Sequence, residues 1–189
     1  MKKLLILVGT LVLAACAHSP LQIWLQPQVQ VAPEAIGEGY SMSISGVNEL
    51  PGGGLGSLGG VYADTAQVTI GNDAGEAIAA GLRQGFSNWS FRMSDGAPQV
   101  DVVAKLVKLT YNSPNTFYTT QIDTSAEINL EVKIGPRTYF GTYSTSGKDR
   151  NLVKPSREEV QSRVNGLLSA TLQRVFEDQK LKNFLRTNL

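Results

Sequence analysis

Between Ile122 and Ile134 apolar and polar residues alternate without a slip. Ile122, Thr124, Ala126, Ile128, Leu130, Val132 and Ile134 fall on one side, and Asp123, Ser125, Glu127, Asn129, Glu131 and Lys133 on the other. A period of two held over so long a run fixes an extended strand with one dry and one wet face. Such a strand belongs to a sheet covered on a single side, a pattern that points to antiparallel pairing. Gly135-Pro136 turns the chain, and Arg137 to Ser146 returns as the hairpin partner.

Two amphipathic stretches can supply the cover. Ala77, Ile78, Gly81, Leu82, Gly85 and Phe86 recur at helical spacing behind a cap at Asn72 or Asp73, with Asp73 and Glu76 spaced as in a capping box. Gly81 and Gly85 each lower intrinsic helix stability by up to ~1 kcal/mol relative to alanine. Packing must therefore hold this helix, and its small residues let it approach a sheet closely. Val160, Val164, Leu167, Leu168, Leu172, Val175 and Phe176 form the second stripe, behind a capping box of Ser156 and Glu159. Asp178 caps a last short turn bearing Leu181, Phe184 and Leu185. Further strands are expected at Leu21–Val31, Tyr40–Ser45, Val61–Ile70, from Trp89 and Phe91, and at Val100–Tyr111. Pro27 puts the first at an edge or bulge, and the fifth slips near Leu106-Val107 as at a bulge. The expected fold is α+β, an antiparallel β-sheet with two main helices, 73–87 and 157–177, packed on one face.

The N-terminus is of another kind. Lys2 and Lys3 precede an apolar run from Leu4 to Ala15, the layout of a secretory signal peptide. The run is shorter than the roughly 20 residues a bilayer-spanning helix needs. Leu13-Ala14-Ala15-Cys16 resembles the bacterial lipobox, in which Leu13, Ala14 and Ala15 are read by the signal peptidase. The resemblance implies that the Cys16 sulfur receives a diacylglycerol and that cleavage leaves Cys16 as the first mature residue, carrying acyl chains such as palmitate. An ordinary cleaved signal with Cys16 as bystander is the alternative. Ala17 stands where lipoproteins kept in the inner membrane carry aspartate, a resemblance that implies the outer membrane. Residues 1–15 are thus read as signal peptide, 16–21 as acylated cysteine and tether, and 22–189 as one periplasmic domain. From Ala17 to Leu21 the tether spans at most ~18 Å, which keeps the domain close to the bilayer.

Composition narrows the chemistry. Without Lys2 and Lys3, the 17 basic residues become 15 against 16 acidic. That near-neutral balance offers no footprint for nucleic acid. Cys16 is the only cysteine, so no disulfide forms within the chain, and His18, the only histidine, lies beside the anchor. Sites needing a histidine inside the fold are excluded, and no metal or cofactor is expected. Asp123, Glu127 and Glu131 share a strand face but stand ~13 Å apart, too far for a glycosidase pair. No G-x-S-x-G or S-x-x-K occurs. Gly54-Leu55-Gly56-Ser57-Leu58-Gly59 matches G-x-G-x-x-G yet leads into a β-rich run instead of a helix, which removes its phosphate-binding logic. The stretch reads as a mobile loop able to bind. Tyr111, Phe117, Tyr118, Tyr139, Phe140 and Tyr143 gather at strand ends as a candidate ligand patch.

Taken with the lipobox, several stretches resemble the YajG family of bacterial lipoproteins. These are Tyr40-Ser41-Met42-Ser43-Ile44-Ser45-Gly46, Gln67-Val68-Thr69-Ile70 ahead of the first helix, the Ile122–Ile134 strand, and Asp178–Leu185 with Phe184-Leu185. The glycine-rich loop at 52–60 departs from the family. The family is biochemically uncharacterised, so the resemblance implies fold and location and supplies no catalytic residues. The expectation is a non-enzymatic binding or scaffold module, membrane-attached through its acyl chains, whose partner is an envelope protein, lipid or glycan. The alternative is an accessory lipoprotein in transport of lipid, lipopolysaccharide or cell-wall components.

Overall fold

The computed structural model describes residues 20–52, 54–58, 67–94, 96–113, 120–151 and 155–189. Leu13, Ala14, Ala15 and Cys16, with the expected signal peptide, lie outside the described residues, as do Phe117 and Tyr118.

Among the described residues eight strands form one sheet. They are β1 (Leu21–Ile23), β2 (Ser41–Asn48), β3 (Gly56–Ser57), β4 (Gln67–Ile70), β5 (Arg92–Met93), β6 (Val100–Asn112), β7 (Thr120–Ile134) and β8 (Arg137–Asn151). The described helices are α1 (Ala74–Asn88), α2 (Arg157–Glu177) and α3 (Gln179–Asn188). The expected alternation survives intact in β7, and its hairpin with β8 turns on Gly135, whose φ of +53° suits glycine. Val107 is the extra residue of the bulge in β6: Leu106 pairs with Ile128 and Lys108 with Glu127. The bulge returns Leu109 and Tyr111 to the dry side, where both are buried.

The sheet is mixed, which corrects the antiparallel expectation. β6–β7–β8 is antiparallel, but β2 runs parallel to β5 and β6, β3 parallel to β6, and β1 parallel to β4. The stretch between β2 and β6 contains α1 and is long enough to bring the chain back to its starting end, which parallel neighbours require. Alternation along one strand carries no mark of its neighbour's direction. A third helix, ten residues long, replaces the expected short last turn.

One row of paired residues crosses the sheet: Leu21, Val68, Gly56, Tyr111, Thr124 and Gly147. It joins the first residue of β1 to the far edge and lies toward one end of the sheet, beyond which β7 and β8 run four pairs further, to Thr120 and Asn151. Gly56 holds its place in this row at a φ of +135°, and a Cβ there would lie 2.0 Å from the Tyr111 carbonyl oxygen. The described part of the glycine-rich stretch is therefore built into the sheet, with Leu55 and Leu58 buried.

The helices fill the dry face. α1 starts against β2, where a Cβ on Gly75 would meet the Gly46 carbonyl oxygen at 2.4 Å. Gly81 and Gly85 serve a different neighbour from the sheet expected of them. A Cβ at Gly81 would come within 2.8 Å of Leu172, and one at Gly85 within 2.1 Å of the Phe176 ring. The small residues thus bring α1 and α2 together. Phe86, Trp89 and Phe176 meet edge to face there, with centroids 5.1 to 5.6 Å apart.

The helix ends follow the expected chemistry in part. Ser156 and Glu159 complete a reciprocal capping box. Asp73 accepts from the Glu76 amide, but the Glu76 carboxylate turns instead to Arg83 at 2.6 Å. Trp89, expected to open a strand, is buried and closes α1 as its C-cap.

Candidate functional site

The stretch read as an edge strand at Leu21–Val31 pairs with the sheet only through β1. From Trp24 onward it lies extended along α2. Ile23, Leu25, Pro27 and Val29 are buried, while Gln22, Trp24, Gln26, Gln28 and Gln30 face outward. On the α2 side the amides of Trp24, Gln26, Gln28 and Gln30 donate in turn to Gln161 Oε1, Asn165 Oδ1, Ser169 Oγ and Gln173 Oε1, at 2.6 to 3.1 Å. Asn165 Nδ2 and Gln173 Nε2 return bonds to the carbonyls of Trp24 and Gln30.

The geometry explains the match. Two residues of strand advance about 6.6 Å, and four residues of helix about 6.0 Å. A helix stripe at every fourth position therefore keeps step with every second amide of the arm. Toward α1, Asn72 bonds both the amide and the carbonyl of Leu25, and Asn88 Nδ2 donates to the Val31 carbonyl. Pro27 has no amide to satisfy. Sequence reasoning missed the helix partners, although polar residues at 161, 165, 169 and 173 beside an apolar stripe were a visible signal.

Two of the expected aromatics converge at the junction of α2 and α3. Tyr139 and Tyr143 on β8 both donate to Asp178 Oδ2, the second at 2.9 Å. A Cβ on Gly141 between them would sit 2.6 Å from the Tyr143 hydroxyl, so the absent side chain is the space into which Tyr143 leans. Burial first, then the hydrogen bond with Tyr139 and that to Asp178, push the Tyr143 hydroxyl far above its ordinary value. Tyr139 is raised by burial and by Asp178. Burial also raises Asp178, but the two tyrosine hydroxyls and the amides of Lys180 and Leu181 outweigh it and hold the carboxyl low. The tyrosines stay protonated donors and the aspartate a charged acceptor that caps α3. None is poised near neutrality as proton transfer asks.

The other expected residues are scattered. Tyr111 is in the core, its hydroxyl buried without a hydrogen-bond partner among the described residues and raised by desolvation. Phe140 points the opposite way from Tyr139, 72 % exposed on the wet face. It walls a recess of about 310 Å³ lined by Lys105, Asn129, Glu131 and Thr142. Asp123, Glu127 and Glu131 occupy that same wet face, as expected. At the end far from Leu21, Glu34 pairs with Lys182 and Arg186 of α3, and Lys182 Nζ lies 4.9 Å from the Trp89 ring centroid. No described helix is long and apolar enough to cross a membrane.

A family model described as uncharacterized lipoprotein matches residues 27–186. No curated protein matches the chain. Among solved structures, the crystal structure of protein XCC0632 from Xanthomonas campestris superposes with a TM-score of 0.57 at 7 % identity, covering 88 % of this chain and 99 % of that one. That likeness is one of fold. A neuraminyllactose-binding hemagglutinin homolog from Helicobacter pylori superposes at 0.40 and 7 % identity, over 84 % of this chain and 96 % of that one. Lipoprotein GNA1162 from Neisseria meningitidis superposes at 0.29 and 11 % identity, over 74 % and 99 %.

Proposed function

The chain belongs to the YajG family of uncharacterised lipoproteins, and from that premise we propose that it is a lipid-anchored module of the bacterial envelope, working by contact and not by catalysis. Cys16 carries the anchor. Ala17 directs the protein to the outer membrane, and the domain faces the periplasm. Two or more acyl chains make such attachment effectively permanent.

The observation that supports contact over lipid transport is the filling of the space between sheet and helices. Leu82, Phe86, Trp89, Leu168, Leu172 and Phe176 occupy it, all buried. A carrier needs that space for its cargo. Against catalysis stand the duties of the perturbed ionisable groups, since Tyr139, Tyr143 and Asp178 lock a helix junction. The surface left for a partner is the wet face around Phe140 and the outer edge of β8, a strand whose only neighbour among the described residues is β7.

Intact mass of the mature protein tests the anchor: an acylated Cys16 as first residue is expected, and a bare thiol or an attached leader overturns it. A photo-crosslinker in place of Phe140, activated in the native envelope, tests the contact role. One discrete protein adduct is expected. Co-purified lipid in its place shifts the reading to transport.

A further inference from the structure

Trp24 is one of two tryptophans in the chain. Its place is unlike that of Trp89, which is fully buried: Trp24 is 41 % exposed. Its backbone is fixed on both sides, the amide to Gln161 and the carbonyl to Asn165. Its ring rests on Gly71, where a Cβ would come within 3.0 Å of Trp24 Cε2. The ring is thus preset on the surface.

Its position along the molecule matters more. Leu21 lies in the row toward one end of the sheet, and Trp24 follows it by three residues, about 10 Å further in along an extended chain. The described residues begin with Pro20 beside Leu21, and Cys16 is only eight residues from Trp24 in the sequence. The outward side chains of the arm, Gln22, Trp24, Gln26, Gln28 and Gln30, carry no charge. Tryptophan is the side chain that settles at the boundary between headgroups and acyl chains, with its ring apolar and its N–H wet.

We propose that Trp24 is a second membrane contact: the domain leans on the bilayer with the Leu21 end of its arm, and the Trp24 ring enters the interfacial layer. This rests on the acylation of Cys16 proposed above. The lipid surface is recognised by burial of the ring and not by charge. Contact is therefore the same on zwitterionic and anionic bilayers.

The experiment uses the full acylated protein reconstituted into phosphatidylcholine vesicles, with and without bromine on the upper acyl chain. Brominated vesicles are expected to remove most of the Trp24 emission and leave that of Trp89, and Trp24→Phe abolishes the bromine-dependent loss. Adding phosphatidylglycerol leaves the loss unchanged. Protein that floats with the vesicles yet shows no quenching overturns the contact while leaving the anchor standing, as does quenching that persists in Trp24→Phe. Protein that fails to float overturns the anchor, and this contact with it.

Discussion

At the scale of single residues, Asp178 joins three elements. One carboxylate oxygen accepts from two tyrosines of β8, and the other accepts from the Lys180 amide at the start of α3. Asp178→Ala removes a helix cap and leaves one of two part-buried hydroxyls without an acceptor, since the Tyr139–Tyr143 contact at 3.3 Å can serve only the other. The expected loss is about 2–3 kcal/mol, read by urea unfolding at neutral pH. The pH dependence has a definite sign. A carboxyl held below its unfolded value stabilises the fold above that value, near 3.9, and its contribution is lost as pH falls through the folded one. The gap between wild type and Asp178→Asn is therefore constant around neutrality and shrinks below about pH 4. Gly85 sets two effects against each other. Alanine improves helix propensity by up to ~1 kcal/mol, but its Cβ would lie 2.1 Å from the Phe176 ring, and overpacking a rigid aromatic contact costs about 1–3 kcal/mol or more. Gly85→Ala is expected to lower the thermal midpoint. A rise would show that α1 and α2 can separate freely.

At the scale of elements, the arm and α2 form a polar zipper between unlike partners. Asn165→Leu leaves the Gln26 amide and the Trp24 carbonyl without their helix partner. The site is exposed and water can substitute, so the expected cost is only ~1 kcal/mol. Local opening is the sharper readout: amide exchange at Trp24, Gln26 and Gln28 is expected to accelerate in Asn165→Leu, while exchange in β7 stays as in wild type. Periodicity explains what could be read without coordinates. β7, the bulge at Val107, α1, α2 and the Ser156 cap each announce themselves through local spacing. Strand direction depends on residues far along the chain, as with Met42 and Val100, and the partner of the arm on residues more than a hundred positions away, as with Gln30 and Gln173. The alternation of Ile23 to Val31 was legible, but alternation says only that one side is dry. It does not say whether the backbone bonds to a strand or to helix side chains. The aromatics likewise separated once neighbours were known, Tyr111 into the core, Tyr139 and Tyr143 onto Asp178, and Phe140 outward.

At the scale of the whole molecule, the arm belongs to the domain. Ile23, Leu25 and Val29 are each at most 4 % exposed, and burying an aliphatic side chain is worth about 1.5–3 kcal/mol. Removing three of them takes away a large share of the 5–15 kcal/mol that typically holds a domain together. A protein starting at Pro20 is expected to keep the thermal midpoint of the mature domain, whereas one starting at Ala32 melts much lower or fails to fold. Equal midpoints for the two would show that the arm is dispensable.

The seating of that arm also decides how the protein answers a pull. The chain runs from Leu21 toward the far end, side by side with β4 and then with α2. Tension drawn along this axis, as the proposed anchor would apply it, strains the whole set of bonds together in shear, where a hairpin end would unzip one link at a time. Resistance to force is governed by the unfolding rate, and here rupture has to break many links in a single event. With Cys16 acylated as proposed, the seating of the arm would let the joint between leaflet and domain carry load.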